Sequence, residues 1–256
     1  MSNSLVGIVV PTLGRRPEFF LECLESIRAA GDTFILVVTP DDADIHDAVE
    51  RGLIDCRVTD PGTGLAQAIN CGLTALPPDL EFVNWLGDDD RLTPGSLQVT
   101  SEILRSNPDA PYVFGGCNYI DSKGQILLTN HSGSWARFLM RIGPDLIPQP
   151  GSLLRRDSLI RIGGLDSSLG WAFDLDMFLR LEKIGKGKFT RKVLAEFRWH
   201  AGSLSVGERG GSAHESRVVR KNHLPRVLRG LSPLWEIPFG IAGQIAAKRL
   251  SKKEMR

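Results

Sequence analysis

The sequence lacks several features that would assign it to a special class of protein. Its four cysteines lie far apart and form no CxxC pair, which excludes the usual spacing of a zinc site or a disulfide framework. The 31 Lys and Arg residues nearly cancel the 30 Asp and Glu residues, and a net charge of +1 gives no global attraction for nucleic acid. No apolar run approaches the ~20 residues of a transmembrane helix. These absences favour an ordinary globular protein that we expect to be cytoplasmic.

Apolar runs and helical periodicity alternate along the first third of the chain. Residues 5–10 form a continuous run of mostly branched side chains that ends at Pro11, typical of a strand buried on both faces. Residues 18–30 repeat their apolar side chains at helical spacing. This pattern recurs up to a fourth predicted strand at 81–86. It predicts an α/β protein with a mostly parallel central sheet flanked by helices, in which ligands bind at the carboxyl ends of the strands.

Three consecutive aspartates, Asp88, Asp89 and Asp90, follow the fourth predicted strand in the stretch WLGDDDRL. Adjacent carboxylates repel and raise one another's pKa, so the triplet needs either full solvation or a cation among its members. A solvated turn before the next helix is one interpretation. The position at the end of a buried strand favours the other, a Mg²⁺ or Mn²⁺ ion that also contacts a diphosphate.

Polar residues also follow the first two predicted strands. Thr12 and Arg15 come after the first, and Asp41 and Asp42 after the second. Because parallel strands end at one edge of the sheet, we expect a single cleft to collect Thr12, Arg15, one of these two aspartates and the triplet.

The motifs together resemble the inverting glycosyltransferases of family 2, which have the GT-A fold. The resemblance rests on VGIVVPT, ILVVTPDD, DPGTGLAQAINCGL, FVNWLGDDDRLTPGSL and IGGLDSSLGWAFDLDMFLRL, in the family's order. It implies transfer of a sugar from a nucleotide-diphosphate donor to a hydroxyl of a saccharide or lipid-linked saccharide, in polysaccharide or glycolipid assembly. The implied GT-A domain covers residues 1–205, with a nucleotide-binding part up to about 95 and an acceptor part from about 96.

The resemblance also implies roles for individual residues. Asp90 matches a metal ligand of the family's acidic motif, with Asp88 or Asp89 at the ribose or at a second metal position. His200 matches a residue that sometimes ligates the metal, and imidazole beside carboxylate suits that role, although a lone histidine is more often structural. The implied cofactor is Mn²⁺ or Mg²⁺, with Asp90, Asp89 and His200 as ligands. The residues implied to bind the nucleotide sugar are Pro11, Thr12, Gly14, Arg15, Asp41, Asp42, Gly64, Asn70, Asp88 and Asp89.

Two of these assignments have structural alternatives of equal weight. Gly64 and Asn70 match the stretch that the family places near the diphosphate or ribose. Gly64 could instead only open a helix, and Asn70 could only cap a turn. The sequence TPDD, where the family commonly has DDGS, leaves the nucleotide base open.

Asp174, in WAFDLD, matches the general base of the family. Inversion by direct displacement needs one group that removes the proton of the acceptor hydroxyl. We expect the neighbouring Trp171 and Phe173 to raise the pKa of Asp174 by desolvation. Asp176 is a second candidate. The structural alternative places Asp174 at a helix N-terminus and pairs Asp176 with Arg180, four residues later.

The C-terminal part differs in composition from the rest. Residues 207–211 (GERGG) predict a mobile loop that could order over bound donor, and residues 206–256 as a whole predict this loop and a basic amphipathic helical tail. Such a tail could contact the cytoplasmic face of an anionic membrane. The alternative, slightly favoured, is a helix packed on the domain or a homodimer contact.

Two other classes of protein remain open. A nucleotidyltransferase that forms a nucleotide sugar would use a related sheet and metal carboxylates, and Gly14-Arg15-Arg16 weakly resembles its Gly-rich basic loop. A binding module without catalysis is the other, and the full set of acidic positions disfavours it.

Overall fold

The apolar run that opens the chain forms the first strand of the sheet, β1, at Val6–Pro11. The computed structural model describes residues 5–200, 209–230 and 234. Within it, β1 pairs in parallel with a neighbour on each side, and Ile8, Val9 and Val10 are almost fully buried. Branched side chains suit this position because they pack well on both faces of a pleated strand.

The strands of the described residues form one sheet. Their bounds are β1 Val6–Pro11, β2 Phe34–Thr39, β3 Cys56–Thr59, β4 Phe82–Trp85, β5 Arg91–Leu92, β6 Tyr112–Ile120, β7 Ile126–Asn130, β8 Ser152–Arg155 and β9 Lys188–Arg198. The spatial order is β3-β2-β1-β4-β8-β6-β9-β5, with β7 paired to β6. The first four strands are parallel, and β8 joins β4 in the antiparallel sense.

Helices cover both faces of this sheet. Their bounds are α1 Pro17–Ala30, α2 His46–Glu50, α3 Leu65–Ala75, α4 Ser96–Arg105, α5 Ala136–Leu139, α6 Arg156–Arg161, α7 Phe173–Ile184 and α8 Arg209–His223. None of the described helices is long and apolar enough to cross a bilayer. The predicted α/β class, with a central sheet between helices, is confirmed.

Alternate residues of β1 belong to two separate cores. Val9 packs in one cluster with Ile69 of α3 and Phe178 of α7, whereas Ile8 and Val10 pack in the other, which contains apolar residues of α1 and α4. This division follows from the two-residue period of a strand. The α3 helix approaches closely because Gly72 has no side chain: a Cβ there would lie 2.5 Å from a Val9 methyl carbon.

Sequence reasoning missed two elements that matter for the site. The strand β9 carries many exposed or half-buried polar residues, so its pattern does not predict a strand, yet it pairs with β6 and extends along it to Arg198. The helix α8 includes Arg209, Gly210 and Gly211, so the predicted mobile loop is wrong for these three residues. Gly207, Glu208 and the tail after 230, apart from Leu234, lie outside the described residues.

Candidate active site

A cavity of about 1020 Å³ lies where β1 and β4 end. Its lining includes Thr12 and the triplet together with Trp171, Phe173 and Asp174. Its position agrees with the expectation that ligands bind at the carboxyl ends of parallel strands. Asp90 and Asp174, which are far apart in the sequence, therefore face the same space.

The triplet is neutralised in part by an arginine from the loop after β1. Arg16 donates from Nη2 to Asp88 Oδ1 at 3.1 Å and from Nη1 to Asp89 Oδ2 at 2.8 Å. The Thr12 hydroxyl donates to the other oxygen of Asp88 at 2.6 Å. Charged hydrogen bonds of this kind are among the strong ones, so they fix the carboxylates in place. The sequence alone did not predict this contact of Arg16.

Arg198, at the end of β9, donates hydrogen bonds to two residues of the triplet. Its side chain is 1% exposed, lies 4.1 Å over the ring of Phe19 and pairs with Glu22 at 2.6 Å. Its backbone N–H donates to Asp90 Oδ1, and its Nε donates to the carbonyl of Asp89, both at 2.9 Å. A buried charge needs such partners. Sequence reasoning missed this residue because its partners are distant in the chain.

His200 lies beside the triplet, as the resemblance implied. Its Nε2 is 2.8 Å from Asp89 Oδ2 and 2.8 Å from Arg16 Nη1. The three side chains therefore meet at one point on the cavity wall. In the present arrangement the imidazole contacts a carboxylate oxygen and the guanidinium together.

Burial acts to raise the pKa of all three carboxyl groups, but the net shift differs among them because their partners differ. It raises the pKa of Asp88, and the hydrogen bond from Thr12 and the charge of Arg16 only partly offset it. Burial, together with the charge of Asp89, raises the pKa of Asp90 well above its usual range. Burial would also raise the pKa of Asp89, but the hydrogen bond from His200 and the charge of Arg16 outweigh it and lower that pKa overall. The site therefore favours added positive charge near Asp88 and Asp90.

The chemistry of these donors fits a hard divalent cation. Carboxylate oxygens and an imidazole are suitable ligands for Mn²⁺ or Mg²⁺, and Asp89, Asp90 and His200 supply both types. Within residues 5–200 and 209–230, however, no three His, Cys, Asp or Glu side chains stand in an arrangement that could hold a metal ion. The guanidinium of Arg16 occupies the space between Asp88 and Asp89, so a cation there requires Arg16 to move.

Asp174 lies in the first turn of α7 and is half-buried in the cavity wall. One carboxyl oxygen accepts the N–H of Leu175 at 2.7 Å. Burial, with a smaller contribution from the charge of Glu215, raises the pKa of Asp174 to about 6. The raised pKa agrees in direction with the expectation from desolvation. A carboxyl group with such a pKa is ionised at neutral pH and is a stronger base than an exposed one.

Asp176, the second candidate for the base, does not line the cavity. It accepts hydrogen bonds from Arg180 at 2.7 Å and lies 2.8 Å from His223 Nε2. Burial would raise its pKa, but these two partners lower it overall. The contacts correspond to the structural alternative, a pair with Arg180.

A second carboxylate near Asp174 was not found from the sequence. Asp145 lies in a proline-rich loop at residues 143–151, which contains three prolines. It also lines the cavity and accepts the N–H of Ile147 at 3.0 Å. Burial and the charge of Asp174 raise the pKa of Asp145 to about 7. The only sequence signal was its place in a loop with three prolines, which does not identify a functional residue.

Several residues implied to bind the nucleotide sugar lie outside the cavity lining. Asp41 and Asp42 are exposed in the turn after β2, where Asp41 accepts a hydrogen bond from Thr59 at 2.8 Å. Asp60, at the end of β3, lines the cavity instead. The structure therefore places Asp60, and neither Asp41 nor Asp42, in the cavity lining, and the role of these two aspartates stays a prediction.

Two further residues implied to bind the nucleotide sugar, Asn70 and Gly14, also lie outside the cavity lining. Asn70 exchanges two hydrogen bonds with the backbone of Leu165, at 2.8 and 2.9 Å, and so connects α3 to the turn before α7. Gly14 has a φ of +69° and donates its N–H to Thr12 Oγ1, which shapes the loop without lining the cavity. The predicted residues that do line it are Pro11, Thr12, Arg15, Gly64, Asp88, Asp89, Asp90, Asp174 and His200.

The chain has distant relatives of known sequence. It matches no family model. It is 26% identical to the uncharacterised protein y4gI of Sinorhizobium fredii, 27% to the O-antigen biosynthesis protein RfbC of Myxococcus xanthus and 25% to the uncharacterised glycosyltransferase RP339 of Rickettsia prowazekii. The alignments cover 93%, 87% and 78% of this chain but 28%, 18% and 65% of the relatives. The chain thus spans less than two thirds of each relative.

Solved structures define the class of fold. One is the mannosyltransferase PcManGT of Pyrobaculum calidifontis, solved with GDP-Man and Mn²⁺, which superposes with a TM-score of 0.62 at 16% identity. The superposition covers 95% of this chain and 75% of the PcManGT chain. Residues 1–349 of S. aureus TarS superpose with a TM-score of 0.61 at 14% identity, over 88% and 68% of the two chains. The fold is that of the GT-A glycosyltransferases.

Proposed function

We propose that the chain is a metal-dependent, inverting glycosyltransferase that moves a sugar, of hexose type, from a nucleotide-diphosphate donor to a hydroxyl group. The acceptor that we propose is a saccharide or lipid-linked saccharide in polysaccharide or O-antigen assembly. One observation carries this proposal: the triplet and Asp174 line the same cavity, in a GT-A fold. The names of RfbC and RP339 support the same activity and the same process.

The donor would bind on the side of the cavity formed by residues before 95. Arg15 and Arg16 offer positive charge to a diphosphate. The carboxylate of Asp60 could accept a hydrogen bond from the nucleoside. Asp89, Asp90 and His200 would hold Mn²⁺ or Mg²⁺. Such a cation would stabilise the charge that develops on the departing diphosphate.

The acceptor would bind on the side formed mainly by residues after 95. Asp174 would take the proton of the acceptor hydroxyl while that oxygen forms a bond to the anomeric carbon and the bond to the diphosphate breaks. Trp171 and Trp199 supply flat apolar surfaces in the same wall of the cavity. The bound saccharide and these rings would exclude water from the reacting atoms.

The relatives do not favour the nucleotidyltransferase alternative, since those with a described activity or process are a glycosyltransferase and an O-antigen biosynthesis protein. The predicted membrane contact and homodimer contact of the tail are not tested by residues 209–230 and 234, and the rest of the tail lies outside the described residues, so both stay predictions.

Thermal unfolding with a panel of nucleotides tests the proposal first. UDP, GDP, dTDP and their sugar conjugates are each added with and without Mn²⁺, and the best donor is then used in a transfer assay with saccharide acceptors. We expect at least one donor to raise the Tm more with Mn²⁺ than without it. No metal-dependent rise with any nucleotide would contradict the proposal.

A further inference from the structure

Glu215 of α8 is bound by the backbone just before the proposed base. Its Oε1 accepts the N–H of Gly170 at 2.9 Å, and its Oε2 accepts those of Trp171 and Ala172, both at 2.6 Å. These three donors lie at the start of α7, where unpaired N–H groups and the helix dipole favour a negative charge. A residue more than forty positions away in the sequence thus supplies the cap that this helix lacks locally.

Other contacts place α8 against the same turn. His223 Nε2 lies 2.8 Å from Asp176 Oδ1, which joins the far end of α8 to α7. Gly211 lies under the indole of Trp171, since a Cβ there would come within 3.0 Å of the ring. Ser212 lines the cavity itself. The helix therefore forms part of the wall that faces an acceptor.

We propose that Glu215 is a positioning residue for Asp174: its carboxylate fixes the turn that presents the base, and its negative charge acts on that base. The inference rests on the proposed function, because it assigns Glu215 a role relative to a base. Asp174 follows the capped turn by two residues, so a displaced turn would displace the carboxylate and the ring of Trp171 together.

The charged groups around Asp174 determine how its pKa would change if the charge of Glu215 were removed. Asp145 faces it from the proline-rich loop, and Glu215 faces it from α8. Arg220, also on α8, acts on Asp145 in the opposite sense. Removing the charge of Glu215 leaves one negative neighbour fewer, which favours ionisation of Asp174. The pKa of Asp174 should therefore fall.

The test compares Glu215→Gln with His223→Asn. The first variant removes the charge and keeps the shape, whereas the second breaks another contact between α8 and α7 and leaves the charge in place. We expect kcat/KM of Glu215→Gln to be roughly tenfold lower at pH 8, from a displaced base. In the pH profile of kcat/KM, the fall in rate on the acidic side should move to lower pH in Glu215→Gln. In His223→Asn that part of the profile should match the unmodified protein.

A second readout separates this inference from the proposed function. The ¹³C signal of the Asp174 carboxyl group, assigned by its loss in Asp174→Asn, is titrated in the unmodified protein and in both variants. A downward shift of the midpoint in Glu215→Gln alone supports the inference, even if no transfer is found. An equal midpoint in all three, or an equal shift in both variants, overturns it. Glu215→Ser, which leaves room for water at the three N–H groups, serves if Glu215→Gln does not fold.

Discussion

The two sides of the cavity, which we propose bind the donor and the acceptor, surround their aspartates with different neighbours. On the donor side, Asp88 and Asp89 meet Arg16 and His200, so the carboxylates are bound to cationic or hydrogen-bonding groups. On the acceptor side, Asp174 has no ion pair among the described contacts, and its charged neighbours that raise a pKa are carboxylates. Asp89, whose pKa is lowered by His200 and Arg16, and Asp174, whose pKa is raised by burial and by Glu215, therefore differ through their surroundings and not through residue type.

The largest expected effect is on the acceptor side. Asp174→Asn should lower kcat by roughly 10²- to 10⁴-fold, the usual contribution of a general base, while donor binding remains. Transfer by the unmodified protein should also fall as the pH falls through about 6, because protonated Asp174 cannot accept a proton. Steady-state kinetics against pH measure both effects.

Asp176→Asn is the matched control for this prediction. It removes a carboxylate two residues away that pairs with Arg180 and His223, so it should affect stability more than kcat. Equal losses of kcat in the two variants would contradict the assignment of the base.

On the donor side, Asp90→Asn should abolish the metal-dependent rise in Tm that the donor produces, and transfer with it. The reason is that the cation would lose one of the three side chains that we propose to hold it, Asp89, Asp90 and His200. Thermal unfolding with Mn²⁺, donor, and both together measures the change. Asp79→Asn, on the exposed loop before β4, is the control and should respond like the unmodified protein.

A pair of variants separates the two candidate contacts to the nucleoside on the donor side, Asp60 and Asp41. Asp60→Asn should raise the KM for the donor by roughly tenfold, if its carboxylate accepts a hydrogen bond from the nucleoside. Asp41→Asn should leave that KM unchanged, because Asp41 is exposed and lies outside the cavity lining. A larger effect at Asp41 than at Asp60 would instead assign the nucleoside contact to Asp41.

The smallest expected effect concerns stability on the acceptor side. The folded-state pKa of Asp145 is raised, so its protonated form stabilises the fold at low pH, and this contribution is lost as the pH rises through about 7. Asp145→Asn removes an ionised carboxylate at pH 8, and the Tm should rise there more than at pH 4. A rise of the same size at both pH values would indicate a packing effect instead.

The sequence predicts the donor side better than the acceptor side, for a physical reason. Local periodicity fixes β1 to β4, and the ends of parallel strands then bring Thr12 and the triplet together. Asp145 approaches Asp174 because of the path of its loop, and Glu215 does so because α8 packs against α7. No local sequence pattern predicts either arrangement. The same holds for Arg198, whose strand β9 has a largely polar sequence.

A crystal structure of Asp174→Asn with the best nucleotide-sugar donor and Mn²⁺ tests the central claim most directly. We predict the diphosphate and the ion against Asp89 and Asp90, with Arg16 moved aside and residue 174 facing the anomeric carbon across the cavity. A nucleotide bound elsewhere, or a donor whose sugar points away from residue 174, would contradict the account.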